Sequence, residues 1–303
     1  MPKLNFHLHC LTLLFAILWC VPAESQTLSW QFAKGDVFDI QIQQSTAVKT
    51  VVDRRLVEQT NKTTMDIAWE VLNFQDDVAT IQQTIKRVRV ELSMPGEKGP
   101  SITNYDSAED KQTGDAKRMN ESFSRIIDQP VNLSVTPQGE IREVEIPKKT
   151  LDSIREMPGS VQGRKMFDAA SVREMFSQSG LQLPADNTET SWQSTRDFKI
   201  GLPQTFRLTT KYSLADREQN PVKIDFTGEL ELLEDSGERP AELDFENVAL
   251  TAQKSSGSLM FDSVKGNCVS SNSETQIKTR SQYRDMEMVV TVDSTVKMSF
   301  TRK

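Results

Sequence analysis

The chain is expected to be an α+β protein: β-rich, with one or more long curved antiparallel sheets in half-barrel style and two central helices packed on the concave face. Three observations predict it. Residues 286–300 alternate apolar and polar side chains, with Met286, Met288, Val290, Val292, Val296, Met298 and Phe300 on one parity. The same period of two recurs from Leu28 to Ile146 and again after Leu183. Only the stretch 147–182 shows helical spacing. A period of two leaves one face of a strand buried and the other wet. At about 3.3 Å per residue the terminal strand would run roughly 50 Å, so it is expected to bend, with the polar Ser294 as the site, or to belong to a strongly curved sheet.

The 303 residues, 37% hydrophobic and 26% charged, have globular composition. A net charge of -7 excludes nucleic acid as a partner, because a phosphate binder needs a basic field. Residues 1–25 read as a secretory signal. Lys3 supplies the positive start, Leu11–Val21 the apolar run, and Ala23-Glu24-Ser25 the small residues before a cut. The run is too short to span a bilayer, so no transmembrane anchor is expected once it is removed. The mature chain is then exported, periplasmic or extracellular. Lipidation at Cys20 is disfavoured by the bulky Trp19 before it.

The organisation that follows is a β-rich half over 26–146, a helical segment over 147–182 and a second β-rich half over 183–303. Leu28, Trp30 and Phe32 share a parity, and Lys34-Gly35-Asp36 turns into the face of Phe38, Ile40 and Ile42. Met65, Ile67, Trp69 and Val71 form the next face, and Gln75-Asp76-Asp77 the next turn. Between Val78 and Leu92 the apolar parity changes from odd to even near Lys86, as one extra residue in a bulge would require. Pro95–Gly114 is polar and predicts a loop excursion. Val131, Leu133 and Val135 pair back through Thr136-Pro137-Gln138-Gly139 to Ile141–Ile146.

Pro147 suits the start of a helix carrying Leu151, Ile154 and Met157, closed by Pro158-Gly159. A second helix is expected over 163–179, with Met166, Phe167, Met175 and Phe176 on one side. That stripe either plugs the concave face or borders a groove for an acyl chain. Strands then resume around Phe206, Leu208, Tyr212 and Leu214, and around Val222 to Leu232, where Gly228 predicts a bend. A Ser-rich strand over 268–283 precedes the terminal one. Gly35 before Phe38 and Gly201 before Phe206 give the halves a faint repeat.

Both histidines lie in residues 1–25, as do two of the three cysteines. Without imidazole, Ser-His-Asp and Cys-His catalysis and His-ligated metals are excluded from the processed chain. No catalytic, cofactor-binding or metal-binding residue is assigned, and no cofactor is implied. Paired carboxylates for glycoside chemistry remain an alternative. Cys268, alone in the mature chain, reads as a buried thiol. Trp30 and Trp69 follow their strands' apolar parity, whereas Trp192 is free to line a groove with the Met and Phe stripe.

Leu183-Pro184, Ser191-Trp192, Tyr212-Ser213-Leu214 and Gly257-x-x-x-Phe261-Asp262-x-x-x-Gly266 stand before the long last strand, and Pro137-Gln138-Gly139-Glu140-Ile141 stands earlier. These pieces resemble an uncharacterised family of exported, β-rich bacterial proteins with no assigned activity. The resemblance implies no catalytic residues. The expectation is an exported non-enzymatic binding or scaffold protein of the bacterial cell envelope. An apolar ligand or an envelope protein would be its partner. The alternative is a carboxylate-dependent hydrolase of envelope glycans.

Overall fold

The computed structural model describes residues 28–96, 99–155, 182–186, 188–198, 205–233, 245–283 and 286–303. The N-terminal strands are β1 (Val37–Val52), β2 (Arg55–Gln75), β3 (Val78–Met94), β4 (Ser101–Asp106), β5 (Pro130–Val135) and β6 (Ile141–Glu145). The C-terminal ones are β7 (Ser191–Phe198), β8 (Thr205–Leu214), β9 (Val222–Leu233), β10 (Phe245–Asp262), β11 (Asn267–Tyr283) and β12 (Met286–Arg302). Two helices, α1 (Gly114–Phe123) and α2 (Lys148–Arg155), complete the described elements. All twelve strands form one sheet in the order β6-β5-β3-β2-β1-β12-β11-β10-β9-β8-β7, with β4 also on β3. The two β-rich halves therefore share a single sheet, joined where β1 pairs antiparallel with β12.

The turns follow their residue chemistry. Asp53 and Arg54, between β1 and β2, and Asp76 and Asp77, between β2 and β3, all have positive φ, as two-residue hairpins of matching twist require. In β3 the residue without an opposite number is Lys86, since Asp66 faces Arg87 and Ile67 faces Ile85. The change of parity in the sequence is this bulge. Leu72 is a second extra residue, on β2.

Two expectations are corrected. The 95–114 excursion contains β4, because β5 pairs only with Ala79–Thr84 of β3 and leaves Arg89–Met94 for another partner. That pairing satisfies backbone groups that would otherwise form an open edge. A helix outside the expected segment, α1, packs on β4 by stacking Phe123 on Tyr105 at 5.4 Å. β12 runs unbroken through Ser294 and keeps register with β1 from Arg302 to Met288. The β9–β10 pairing ends at Gly228, which stands opposite Ser255. A Cβ there would lie 2.9 Å from Ser255 Cβ and 3.0 Å from Leu208 Cδ1, so the residue is glycine to let neighbours close in.

The core occupies the lower end of the sheet. Leu28, Trp30 and Phe32 are buried as expected, yet their segment joins no strand. It crosses the inner face, with Trp30 N donating to Pro137 O and Gln31 N to Gly266 O. The Trp30 ring stacks on Phe32 at 5.5 Å and meets Phe38, Phe261 and Phe300 edge-on at 6.3, 5.9 and 6.0 Å. Trp69 sits beside it and donates Nε1 to Gln83 Oε1 at 2.8 Å. This extended segment plugs the inner face at its lower end. The expected α2 is present and its Leu151 reaches the core, while the second expected helix, 163–179, lies outside the described residues.

Candidate binding cavity

Pairing across the sheet sorts the inner-face residues into rows. One row reads Asn61, Thr46, Ser294, Thr275, Ser255, Gly228, Thr210, Ser194, each the register partner of the next across eight neighbouring strands from β2 to β7. Every member is a small polar residue or glycine. Hydroxyls within the row pair across strands, Thr46 with Ser294 and Ser255 with Thr275, each at 3.2 Å. The row above it carries Val48, Val292 and Ile277 on neighbouring strands, then Gln253 on β10, with Leu230 and Leu208 paired on β9 and β8 and Arg196 opposite Leu208 on β7. A polar belt thus runs between the aromatic core below and an apolar band above.

Below the belt, the next row carries Phe226, Tyr212 and Trp192 in sequence. Trp192 stacks on Tyr212 at 5.2 Å and an interplanar angle of 8°, and Tyr212 tilts against Phe226 at 5.9 Å. Phe226 in turn lies over Gly257, where a Cβ would come within 2.3 Å of its Cζ. Only a glycine leaves room for that ring.

These rows floor a cavity of ≈ 280 Å³. Ser194, Thr210, Ser255 and Thr275 of the belt line it, with Ser271, Ser273, Tyr212, Phe226, Leu208, Arg196, Thr195 and Met298 around them. Its opposite wall is Gly139, Glu140 and Ile141, from the turn between β5 and β6, with Gln182. Strands at opposite ends of the sheet order meet across this space, so the sheet curls. The turn is held there by Trp30 N on Pro137 O and by Leu183 N on Gln138 O. The hydroxyls of Ser194, Thr210 and Ser273 have no hydrogen-bond partner among the described residues. One carboxylate, Glu140, and one cation, Arg196, stand among the lining residues.

Of the sequence candidates, Trp192 borders this site. Its ring backs Tyr212, and its Nε1 donates to Gln182 O at 2.8 Å. Met166, Phe167, Met175 and Phe176 lie outside the described residues. The polar belt was missed in the sequence; its visible trace is the Ser and Thr content of β10 and β11.

The outer face of the sheet is a lattice of surface ion pairs. Arg89 pairs with Asp66, Arg207 with Asp197 and Lys211 with Glu229, at 2.8, 2.8 and 2.7 Å. Such pairs contribute little individually and occupy carboxylates that would otherwise be available for chemistry. Cys268 is fully buried, and desolvation pushes its thiol far above the ordinary range, so it stays protonated and inert. Among the described residues no cluster of His, Cys, Asp or Glu is placed to hold a metal. No described helix is long and apolar enough to cross a membrane.

The Gly257-x-x-x-Phe261-Asp262-x-x-x-Gly266 motif is structural throughout. Gly257 admits Phe226, Phe261 packs on Trp30, and Asp262 Oδ1 accepts from Val264 N at 3.1 Å and Lys265 N at 2.9 Å. Gly266 has φ +60° and faces Gln31, whose Cγ would lie 2.3 Å from any Cβ. A family model spanning residues 76–266 matches this sequence, and the motif falls inside it. The chain belongs to the family of unknown function DUF6263. The comparison with curated proteins finds no match.

Among solved structures, a chain from a study of lipid–protein interactions in lipovitellin is similar with a TM-score of 0.53 at 11% identity. The similarity covers 89% of this DUF6263 chain and 25% of the lipovitellin chain, so it spans a quarter of that protein. At that identity the likeness is one of fold. An outer membrane channel from Pseudomonas putida F1 aligns over 92% of this chain and 99% of its own, at 8% identity and a TM-score of 0.24. That score carries no structural argument.

Proposed function

We propose that this DUF6263 protein is an exported, non-enzymatic binding protein of the bacterial envelope that holds an amphiphile with an apolar tail against the inner face of its half-barrel sheet. The observation carrying this reading is the apolar band above the polar belt. Val48, Val292 and Ile277 are only half-buried, and Val57 in the next row is 43% exposed. Full burial from the exposed state is worth about 1.5–3 kcal/mol for such a side chain, and a tail laid along the band would supply the part of it that these half-buried residues have not yet gained. The lipid–protein interactions named for lipovitellin, a protein of similar fold, agree with this reading. Residues 1–25, read as a secretory signal, support the location. Glycan hydrolysis has less support, since two-carboxylate chemistry needs a pair about 5–9.5 Å apart and Glu140 is the one carboxylate among the described residues lining the cavity.

Native mass spectrometry of the purified, signal-processed protein tests the reading. A co-purifying acyl species is expected, and Val292→Asp and Ile277→Asp should each reduce its occupancy about tenfold while far-UV circular dichroism stays unchanged. A protein that is empty, and that also takes up no added fatty acid or detergent, would overturn the proposal.

A further inference from the structure

We infer that the cavity beneath the apolar band recognises a neutral polyhydroxylated ring, a sugar, carried either free or as the head of a glycolipid. This deepens the binding reading and rests on it. Three features carry it. The first is hydrogen-bonding character: Ser194, Thr210 and Ser273 present hydroxyls without partners among the described residues, and each both donates and accepts. A sugar hydroxyl has the same dual character, whereas a carboxylate or phosphate offers only acceptors and is better served by cations.

The second feature is charge. The lining carries one cation, Arg196, and one carboxylate, Glu140, which is itself paired with Arg142 at 3.9 Å, so the formal charges of the lining residues sum to zero. The third is the aromatic row. Tyr212 and Phe226 line the space with Trp192 stacked behind, and aromatic surfaces of this kind suit the C–H face of a saturated ring. The volume, ≈ 280 Å³, sits at the lower end for ligand pockets and suits a small head group. The layout is also directional. The cavity lies directly below the apolar band, so the head of a glycolipid would sit on the belt with its tail on Val292 and Ile277.

Titration of the full processed protein with dodecyl maltoside below its micellar concentration, with dodecylphosphocholine, and with maltose tests this. Calorimetry is the readout. The maltoside is expected to bind about tenfold more tightly than the phosphocholine of equal tail length, because a site built to hydrogen-bond a hydroxyl discriminates against a head lacking it. Thr210→Val, near-isosteric and at mid-strand, combined with Ser194→Ala should erase that difference and leave the phosphocholine affinity unchanged. Maltose binding without a tail would identify a free saccharide as the ligand, supporting the ring and overturning the tail. Equal affinity for the two detergents in the native protein would overturn the sugar inference while leaving the amphiphile reading standing. Failure of all three probes to bind would overturn both.

Discussion

Asp262 ends β10 and organises the turn that returns as β11. Burial by itself would raise its pKa, but the N–H groups of Lys265 and Val264, the amide of Asn220 and the Lys265 charge outweigh that, and the carboxyl is held below its ordinary value. A carboxyl depressed in the folded state adds stability that is complete above its unfolded pKa of about 3.9 and is lost as pH falls through the lower folded value. Asp262→Asn should therefore cost about 1–2 kcal/mol at neutral pH, and the gap from the native protein should narrow as pH is lowered below about 3.9. Urea titrations on either side of that pH check it; a gap that persists undiminished would show that the charge is not the contributor. In the sequence Asp262 and Gly266 stood out only as members of a spaced motif. That Gln31 presses on Gly266 was not legible there, because the two residues are far apart in the chain.

The segment Leu28–Phe32 is the clearest case at the scale of elements. Its alternation correctly placed Leu28, Trp30 and Phe32 on one buried side, but burial on one side does not require a ladder of hydrogen bonds. Its N–H groups go instead to the turn carbonyls of Pro137 and Gly266, joining both halves of the sheet. Trp30→Ala removes the ring at the centre of the aromatic cluster and should cost about 3–5 kcal/mol, measured as a lowered urea midpoint. A loss under about 1 kcal/mol would place the ring outside the core. The Lys86 bulge was readable because a change of parity is a local signal. Helix α1 was not. It buries only Ala116 among its residues and is held by Phe123 on Tyr105, a contact the sheet supplies.

For the whole molecule, the seam between β1 and β12 matters most. Fifteen register pairs join strands from the two ends of the described chain, and β12 is paired on its other edge with β11. The loop-closure entropy of that long-range pairing must be overcome before its contacts form, which slows folding. Deleting 286–303 should abolish the cooperative urea transition, because it bares one edge each of β1 and β11 and splits the sheet in two. A truncated chain that retained a single transition with an unchanged denaturant slope would show that the halves fold apart.

The alternation of side chains and the placement of Gly, Asp and Pro by themselves determined that this chain makes long strands, where most of them turn and which side of each faces inward. These are decided within a few residues by sterics and by the period of the pleat. The tertiary structure alone decided the belt and the cavity above it. A row of Asn61, Thr46, Ser294, Thr275, Ser255, Gly228, Thr210 and Ser194 exists only when seven pairings hold their register at once, since a slip of one residue at any seam turns that strand's polar members to the other face. The curl that brings Gly139–Ile141 over that row likewise depends on the Trp30 segment, which no single strand encodes.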